Sequence, residues 1–277
     1  MPNNPKTKSD TKRLTKAEQE EIDEYLRLPV PFVYHIIRTE GDEELARPLG
    51  SLWWSGVAAG LSISMAVIVQ GLLLQKLPDT PWRPLVIDFG YCVGFLIVVL
   101  GRLQLFTENT ITAVLPLLLQ PSLRNIARVA RLWTIVLAAN LVGTLFFAVA
   151  AKYFGIFTAD QTDAFLLVSR HFMEKEPAQM LLHGIPAGFL VAAMVWMIPS
   201  AKGAEFLVVT MMTYAIALGD FSHVVAGSAE AFLLLIFGEI GLWKTIGGFF
   251  LPTFIGNVLG GTVLFTLLVY GQVREEL

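Results

Sequence analysis

Charged residues are scarce in this chain for its size. Only 16% of its 277 residues are charged, whereas 55% are hydrophobic and the mean hydropathy is +0.62. An ordinary soluble domain carries about 25% charged residues, so this composition excludes that class. Cysteine is scarcer still, because Cys92 stands alone and no intrachain disulfide can form. The composition indicates a membrane protein.

Sequence motifs of catalysis and metal binding are also lacking. The chain has no P-loop, no HExxH, no GxSxG and no clustered set of cysteines and histidines. Asp220, Ser222 and His223 are residue types of a hydrolytic triad, but four consecutive positions cannot by spacing alone provide the triad geometry. The sequence therefore predicts a protein that is not an enzyme, needs no cofactor or metal and binds no nucleic acid.

The charges that are present gather near the N-terminus, where the first 50 residues hold eight of the 20 Lys and Arg residues. Thr15-Lys16-Ala17-Glu18 fits a capping box and predicts the start of a short helix. Residues 32–48 combine apolar side chains with acidic ones, as in a helix lying at the membrane surface. We expect a cytoplasmic N-terminal region at 1–48 with a disordered start, a transmembrane domain at 49–273 and a cytoplasmic tail at 274–277.

Six apolar segments follow, and two of them are interrupted by polar residues. The second segment is broken at Leu105-Phe106-Thr107-Glu108-Asn109-Thr110, and the fifth at Gly219-Asp220-Phe221-Ser222-His223. Polar backbone at mid-membrane depth is tolerated only where protein buries it or where it lines a cavity. Interruptions at matching places of two halves point to a transport site. The uninterrupted segments cover residues 52–75, 132–151, 178–201 and 245–273, each with about the 20 residues that a crossing needs.

The two halves also share short motifs. Gly56-Val-Ala-Ala-Gly60 corresponds to Gly184-Ile-Pro-Ala-Gly188, and Asn140-Leu-Val-Gly143 corresponds to Asn257-Val-Leu-Gly260. With three crossings each, the halves must have opposite orientation. We expect an all-α protein with six transmembrane helices in an inverted 3+3 repeat, of which helices 2 and 5 are broken. Basic residues in the connections number 13 on the N-terminal side and six on the other, which predicts cytoplasmic N- and C-termini.

His223 is the strongest candidate for a functional residue, because ionisable groups within a membrane span are costly and an imidazole exchanges protons near neutral pH. The alternative is a structural histidine bonded to a backbone carbonyl or to Asp220. Thr107 is expected to face His223, with capping of a half-helix that starts at Glu108 as its other role. Arg102 and Glu108 are expected to form a salt bridge that braces the first interruption, or to line the pathway.

Four further polar residues lie in or just beyond the fifth segment, and two of them, Asp220 and Ser222, are structural or electrostatic candidates. Asp220 and Ser222 belong to the second interruption itself. Glu230 lies in the apolar run that follows, and Glu239 lies just beyond that run. We expect both glutamates near an interface or at the membrane edge.

The sequence resembles the formate/nitrite transporter family over roughly residues 30–273. The resemblance rests on five motifs together: Leu105-Phe106-Thr107, Phe221-x-His223, Gly56-x-x-x-Gly60, Val195-Trp196-Met197 and Gly256-Asn257-x-x-Gly260-Gly261. It implies an aquaporin-like fold and a homopentamer in a bacterial inner membrane. Each protomer would pass small monovalent anions such as formate, nitrite or other short carboxylates.

The resemblance also implies roles for individual residues. His223 matches the central histidine of the family, and Thr107 matches the threonine of its first broken helix. Two apolar constrictions are implied by position, an outer one of Phe106, Tyr91 and Val191 and an inner one of Leu105, Phe95 and Ile216.

The chain departs from the family at several positions, in a pattern similar to the YfdC-like branch. Gly188 and Gly227 stand where the family usually has asparagines, and His183 stands where it has an arginine. A family lysine aligns near Phe172, although Arg170, His171 and Lys175 are close in sequence. We interpret these changes as a loss of amide donors, and of a vestibule cation, from the pore.

We therefore predict a channel for a small monovalent anion or its neutral conjugate acid. The anion would enter a positive vestibule, gain a proton near His223 and cross the constrictions as the neutral acid, because burying a bare charge in apolar surroundings is costly. One alternative is an aquaporin-like channel for small neutral solutes, which Gly188 and Gly227 favour. A second is a non-conducting sensor or scaffold that anchors the charged N-terminal region.

Overall fold

The computed structural model describes residues 28–276, so the helix predicted at Thr15 lies outside the described residues. Every regular element within that range is helical. The ten helices described are α1 (Val30–Ala46), α2 (Leu49–Lys76), α3 (Arg83–Leu100), α4 (Asn109–Leu119), α5 (Leu123–Tyr153), α6 (Ala159–Phe172), α7 (Pro177–Ser200), α8 (Glu205–Leu218), α9 (Val224–Phe237) and α10 (Lys244–Val273).

Five of these helices are long and apolar enough to cross a membrane. They are α2, α3, α5, α7 and α10, with 18 to 31 residues each and mean hydropathies of 1.7 to 2.1. The helices α4, α8 and α9 are apolar but shorter. The prediction of an all-α, multi-pass membrane protein is thereby confirmed.

One helix was not predicted. The polar connection after α5 contains α6, whose first turn is closed by a capping box between Thr158 and Gln161. The Thr158 hydroxyl accepts a hydrogen bond from the Gln161 N–H, and the Gln161 side chain accepts one from the Thr158 N–H.

Both interruptions are present, and the helices that precede them end in the same way. Among residues 28–276, the non-glycine residues with positive φ are Arg102, at 52°, and Asp220, at 50°. In the next position the Leu103 N–H donates to Val98 O at 2.9 Å, and the Phe221 N–H donates to Ile216 O at 3.0 Å. A non-glycine residue in this region costs roughly 1 kcal/mol or more and persists only where its surroundings enforce it.

In the first half, those surroundings include the buried side chain of Asn140. Its amide group donates to Gly56 O and Gln104 O, both at 2.8 Å, and its oxygen accepts from the Phe106 N–H at 3.0 Å. Asn140 therefore ties α5 to α2 and to the first interruption.

Asn257 does the same in the second half. Its amide group donates to Gly184 O at 2.9 Å and to Ser222 O at 2.8 Å, and its oxygen accepts from the Val224 N–H at 2.8 Å. The two paired motifs thus make the same three hydrogen bonds. In each half, one bond goes to a glycine carbonyl of a neighbouring helix, and two go to the backbone at the nearest interruption. We call Asn140 and Asn257 the two asparagine latches.

Glycine lets these helices touch through their backbones. A Cβ atom on Gly60 would lie 2.0 Å from Asn140 O, and one on Gly188 would lie 2.2 Å from Asn257 O. Small residues allow this approach between membrane helices. The interpretation of Gly188 as a lost pore amide is therefore wrong, because any side chain there would collide with the backbone of α10.

Candidate functional site

The two interruptions meet at His223 and Thr107. The Nε2 atom of His223 lies 2.7 Å from the Oγ1 atom of Thr107, and both residues have no exposed surface. These residues are 116 positions apart in the chain. The structure thus brings together the two residues that the sequence singled out.

The hydrogen bonds of His223 determine where its proton lies. The Ala226 N–H donates to Nδ1 at 3.1 Å, so that His223 caps the N-terminus of α9 with an unprotonated Nδ1. Nε2 must then carry the proton and donate it to Thr107. The hydroxyl hydrogen of Thr107 is left to donate to another acceptor.

Asp220 and Thr107 do not have the structural roles that the sequence suggested for them. Asp220 does not contact His223, since it forms an ion pair with Lys175 at 2.7 Å. Thr107 does not cap α4, whose N-cap position is Glu108 and lacks a side-chain hydrogen bond. Ser222 is buried, and its hydroxyl donates to the sulfur of Met180 at 3.3 Å.

An apolar shell surrounds the His223–Thr107 contact. The ring of Phe95 meets the imidazole edge-on, with centroids 5.0 Å apart. Phe106, which precedes Thr107 in the chain, packs against Trp133 and Phe254. Five residues predicted in constrictions are fully buried: Phe95, Leu105, Phe106, Val191 and Ile216.

A cavity of about 600 Å³ opens beside this shell, between α2, α3, α6, α8 and α9. We call it the Tyr91 cavity. Tyr91 and Ile216 both line it. The resemblance placed these two residues in different constrictions, and here they line the same cavity.

The Tyr91 cavity is acidic, contrary to the positive vestibule that we expected. Its charged lining comprises four carboxylates and two basic side chains, Asp88, Glu174, Asp220, Glu230, Arg170 and His171. Both basic side chains have acidic partners, because Arg170 binds Glu239 at 2.6 Å and His171 lies 3.6 Å from Glu174. The nearby Lys175 is held by Asp220.

The Arg170–Glu239 pair lies outside the membrane-spanning helices. Its hydrogen bonds raise the pKa of Arg170, and the same guanidinium lowers the pKa of Glu239. Glu239 is partly exposed in this pair. Glu230, which we expected near an interface or at the membrane edge, is only 6% exposed and lines the cavity from within α9.

Gly227 lies one turn before Glu230 on α9. A Cβ atom there would come within 2.6 Å of the Phe172 ring and 2.8 Å of the Phe249 ring. These two rings pack edge to face, with centroids 5.6 Å apart. The rings of Phe172 and Phe249 therefore fill the space that an asparagine side chain at position 227 would need.

The predicted Arg102–Glu108 salt bridge is absent, because Arg102 pairs with Glu40 of α1 at 3.2 Å. The Glu108 Oε1 atom is buried, without a hydrogen-bond partner among residues 28–276. Glu44, which the sequence did not single out, accepts hydrogen bonds from Thr112 at 2.7 Å and from Gln104 at 3.2 Å. Because Glu44 stands in an acidic stretch of a helix predicted at the membrane surface, the sequence did not indicate that it would accept these hydrogen bonds.

The comparisons with known proteins agree with one another. The sequence profile described as "Formate/nitrite transporter" matches residues 32–271. "Inner membrane protein YfdC" of Escherichia coli K12 is 40% identical over 264 residues, which cover 95% of this chain and 85% of that protein. "Formate channel FocA" of Haemophilus influenzae is 23% identical over 274 residues, covering 89% of this chain and 95% of that one.

Solved structures share the fold. An "FNT family ion channel" superposes with a TM-score of 0.73 at 21% identity, covering 88% of this chain and 98% of the other. A "Pentameric formate channel with formate bound" superposes with a TM-score of 0.68 at 19% identity, covering 82% and 98%. On the profile match and the identity to the YfdC protein together, this chain belongs to the formate/nitrite transporter family and to its YfdC-like branch.

Proposed function

We propose that this protein is an inner-membrane channel for a small weak acid, taken up as a monovalent anion or as its neutral conjugate acid. Family membership supports this class of substrate, because relatives are named for formate and nitrite. By the same argument the working assembly is a homopentamer, with one pathway in each protomer. Among candidate functions, a channel accounts best for interrupted helices inside an apolar bundle.

The observation that carries the proposal is the buried contact between His223 and Thr107. It lies where two interrupted helices meet, inside a shell of Phe95, Leu105 and Phe106. A polar pair at this depth is costly unless it serves a pathway. A bare anion would lose its hydration in this shell at a cost of many kcal/mol, whereas a neutral acid needs only a hydrogen bond.

His223 serves this pathway by orienting Thr107. Its Nδ1 atom is occupied by the Ala226 N–H, so its one proton is committed to the Thr107 oxygen. The Thr107 hydroxyl can then donate to an oxygen of the passing acid. In this mechanism the imidazole stays neutral, and the proton of the substrate comes from elsewhere.

The architecture we propose for the pathway is six crossings in an inverted 3+3 repeat, with α3–α4 and α8–α9 as the interrupted pair. The matched turns at Arg102 and Asp220 and the two asparagine latches support this repeat. Basic residues favour a cytoplasmic position for both termini. The Tyr91 cavity then opens to the outside.

The test is weak-acid flux through the purified full-length protein in proteoliposomes. We expect formate, acetate and nitrite uptake that rises as external pH falls from 8 to 5. Thr107→Val removes the hydroxyl but keeps the shape, and His223→Asn keeps a residue that can cap α9. Each should lower flux by about tenfold or more, the equivalent of about 1.4 kcal/mol in the barrier. Thr107→Ser and the exposed His35→Asn serve as matched controls.

Three results would contradict the proposal. Flux that ignores both pH and these substitutions would remove the role of the His223–Thr107 contact. Vesicles that pass urea or small alcohols but no weak acid would indicate a neutral-solute channel. Absence of any flux would leave the scaffold as the remaining function.

A further inference from the structure

Two hydrogen-bond acceptors in the Tyr91 cavity have no partner. Glu230 is only 6% exposed and lines the cavity, and none of the hydrogen bonds or ion pairs found within residues 28–276 involves its side chain. Gln70 is only 8% exposed, and its Oε1 atom is buried without a partner. Both residues line the cavity. A buried acceptor without a partner, as at Gln70, is costly and requires an explanation, such as a ligand that donates hydrogen bonds; the Glu230 carboxylate, which lines the same cavity, can accept from that ligand.

The charged groups that face Glu230 restrict which ligands the cavity can bind. Asp88 on α3 has no ion-pair partner among the described residues, while Asp220 and Lys175 neutralise each other. Arg170 and His171 on α6 are paired with carboxylates of their own. Within residues 28–276, no unpaired cation therefore lines this cavity, and a further negative charge would be repelled by Asp88 and Glu230.

We propose that the Tyr91 cavity binds the substrate as a protonated weak acid, whose O–H group donates to Glu230 and which shares its proton with that carboxylate. This inference rests on the proposed function and specifies the form in which the substrate enters. When the proton moves to a Glu230 oxygen, the substrate becomes an anion that keeps the electron pair of its O–H bond. The reverse transfer restores the neutral acid, which then passes Tyr91 toward Thr107.

Two carboxyl groups that share one proton form a stable arrangement, because two like charges at that distance cannot both ionise. A protonated Glu230 can also give its proton to an anion that arrives from solution. Glu230 thereby supplies the proton that the neutral His223 does not. The substrates best suited to this site are small acids with one carboxyl group.

The proposal is tested first by flux of formate through Glu230→Gln, which keeps the size of the side chain and removes the shareable charge. We expect its pH–flux profile to move about one unit toward acid, since at a given pH about tenfold less neutral acid would be held in the cavity. The deficit should shrink as the external pH approaches the pKa of formic acid, where neutral acid becomes abundant. Glu43→Gln, at an exposed position of α1 outside this cavity, should leave the profile unchanged.

A binding measurement makes the test independent of transport. Infrared difference spectra of the unmodified protein with ¹³C-formate should show a protein carboxyl band that appears with the ligand and is lost in Glu230→Gln. Normal flux with an unshifted profile and no such band overturns this inference alone. Absence of weak-acid flux in the unmodified protein overturns the proposed function. Methylammonium flux that depends on Glu230 would show a cation site instead, and overturns the inference.

Discussion

Arg102 in the first interruption and Asp220 in the second take up the same left-handed conformation. They are 118 positions apart in the chain, and the same spacing pairs Thr112 of α4 with Glu230 of α9. At these second positions the halves differ. Thr112 donates its hydroxyl hydrogen to Glu44 of α1, whereas Glu230 faces the Tyr91 cavity without a partner.

The helix packed against each half-helix explains this difference. In the first half, α1 brings the Glu44 carboxylate to Thr112 and Gln104, whose side chains both donate hydrogen bonds to it. In the second half, the end of α6 brings the ring of Phe172, and Lys175 just beyond it pairs with Asp220. The repeated backbone thus provides two equivalent positions, Thr112 and Glu230. The helix packed against each position determines whether its side chain has a hydrogen-bond partner within the protein, as Thr112 has, or faces the cavity, as Glu230 does.

The largest effect on stability is expected from removing the asparagine latches, because this tests whether the two halves are stabilised in the same way. Asn140→Ala and Asn257→Ala each leave one N–H and one carbonyl of an interruption buried without this partner, at about 1–3 kcal/mol for each group, and also remove a second bond to a mid-helix carbonyl. We expect both variants to lose several kcal/mol, measured as thermal unfolding in detergent together with the yield of assembled protein. The exposed Gln272→Ala is the control.

A strong loss in one variant with a mild loss in the other would show that the latches are not equivalent. The matched backbone would then owe its stability to different causes in the two halves.

The sequence predicted the repeated part of this comparison well. Polar runs at Thr107 and His223 marked the interruptions, since few other signals place polar residues inside apolar spans. The motifs at Asn140 and Asn257 share the pattern Asn-x-x-Gly, which pairs them from sequence alone. These features are local in sequence, or repeat at a fixed spacing, and can therefore be recognised without coordinates.

The unrepeated part could not be predicted, because it depends on how helices are rotated against distant partners. Arg102 pairs with Glu40, which lies 62 positions away, rather than with the nearby Glu108. Glu230 faces a cavity rather than a membrane edge, and Ile216 shares that cavity with Tyr91. Neither composition nor periodicity specifies these rotations.

A smaller effect is expected from the two ion pairs that flank the interruptions. Lys175 is nearly buried, at 8% side-chain exposure, beside Asp220 at 46%. Arg102 and Glu40 are 79% and 41% exposed. Exposed pairs contribute about 0–1 kcal/mol, so we expect Arg102→Gln to be close to neutral in thermal unfolding. Lys175→Gln should cost about 1 kcal/mol, because its desolvated ammonium group is better shielded from water and salt.

Salt provides the control for this prediction. Raising ionic strength to about 1 M shortens the Debye length to about 3 Å and should abolish any effect of Arg102→Gln, while that of Lys175→Gln persists. Equal losses in both variants would mean that burial does not distinguish the two interruptions.

The smallest effect concerns Glu44, which accepts a hydrogen bond from Thr112, the residue equivalent to Glu230 of the second half. Burial raises the pKa of Glu44, against the opposing effect of the hydrogen bonds from Thr112 and Gln104. For an acid whose folded-state pKa is raised, the contribution to stability is present below its usual pKa and is lost as pH rises through the folded-state pKa. Glu44→Gln has no such loss. Its melting temperature, relative to the unmodified protein, should therefore rise between pH 4 and 8, while the exposed Glu43→Gln shows no trend. A fall instead would mean that the two hydrogen bonds outweigh desolvation, and that this carboxylate is stabilised in its charged form.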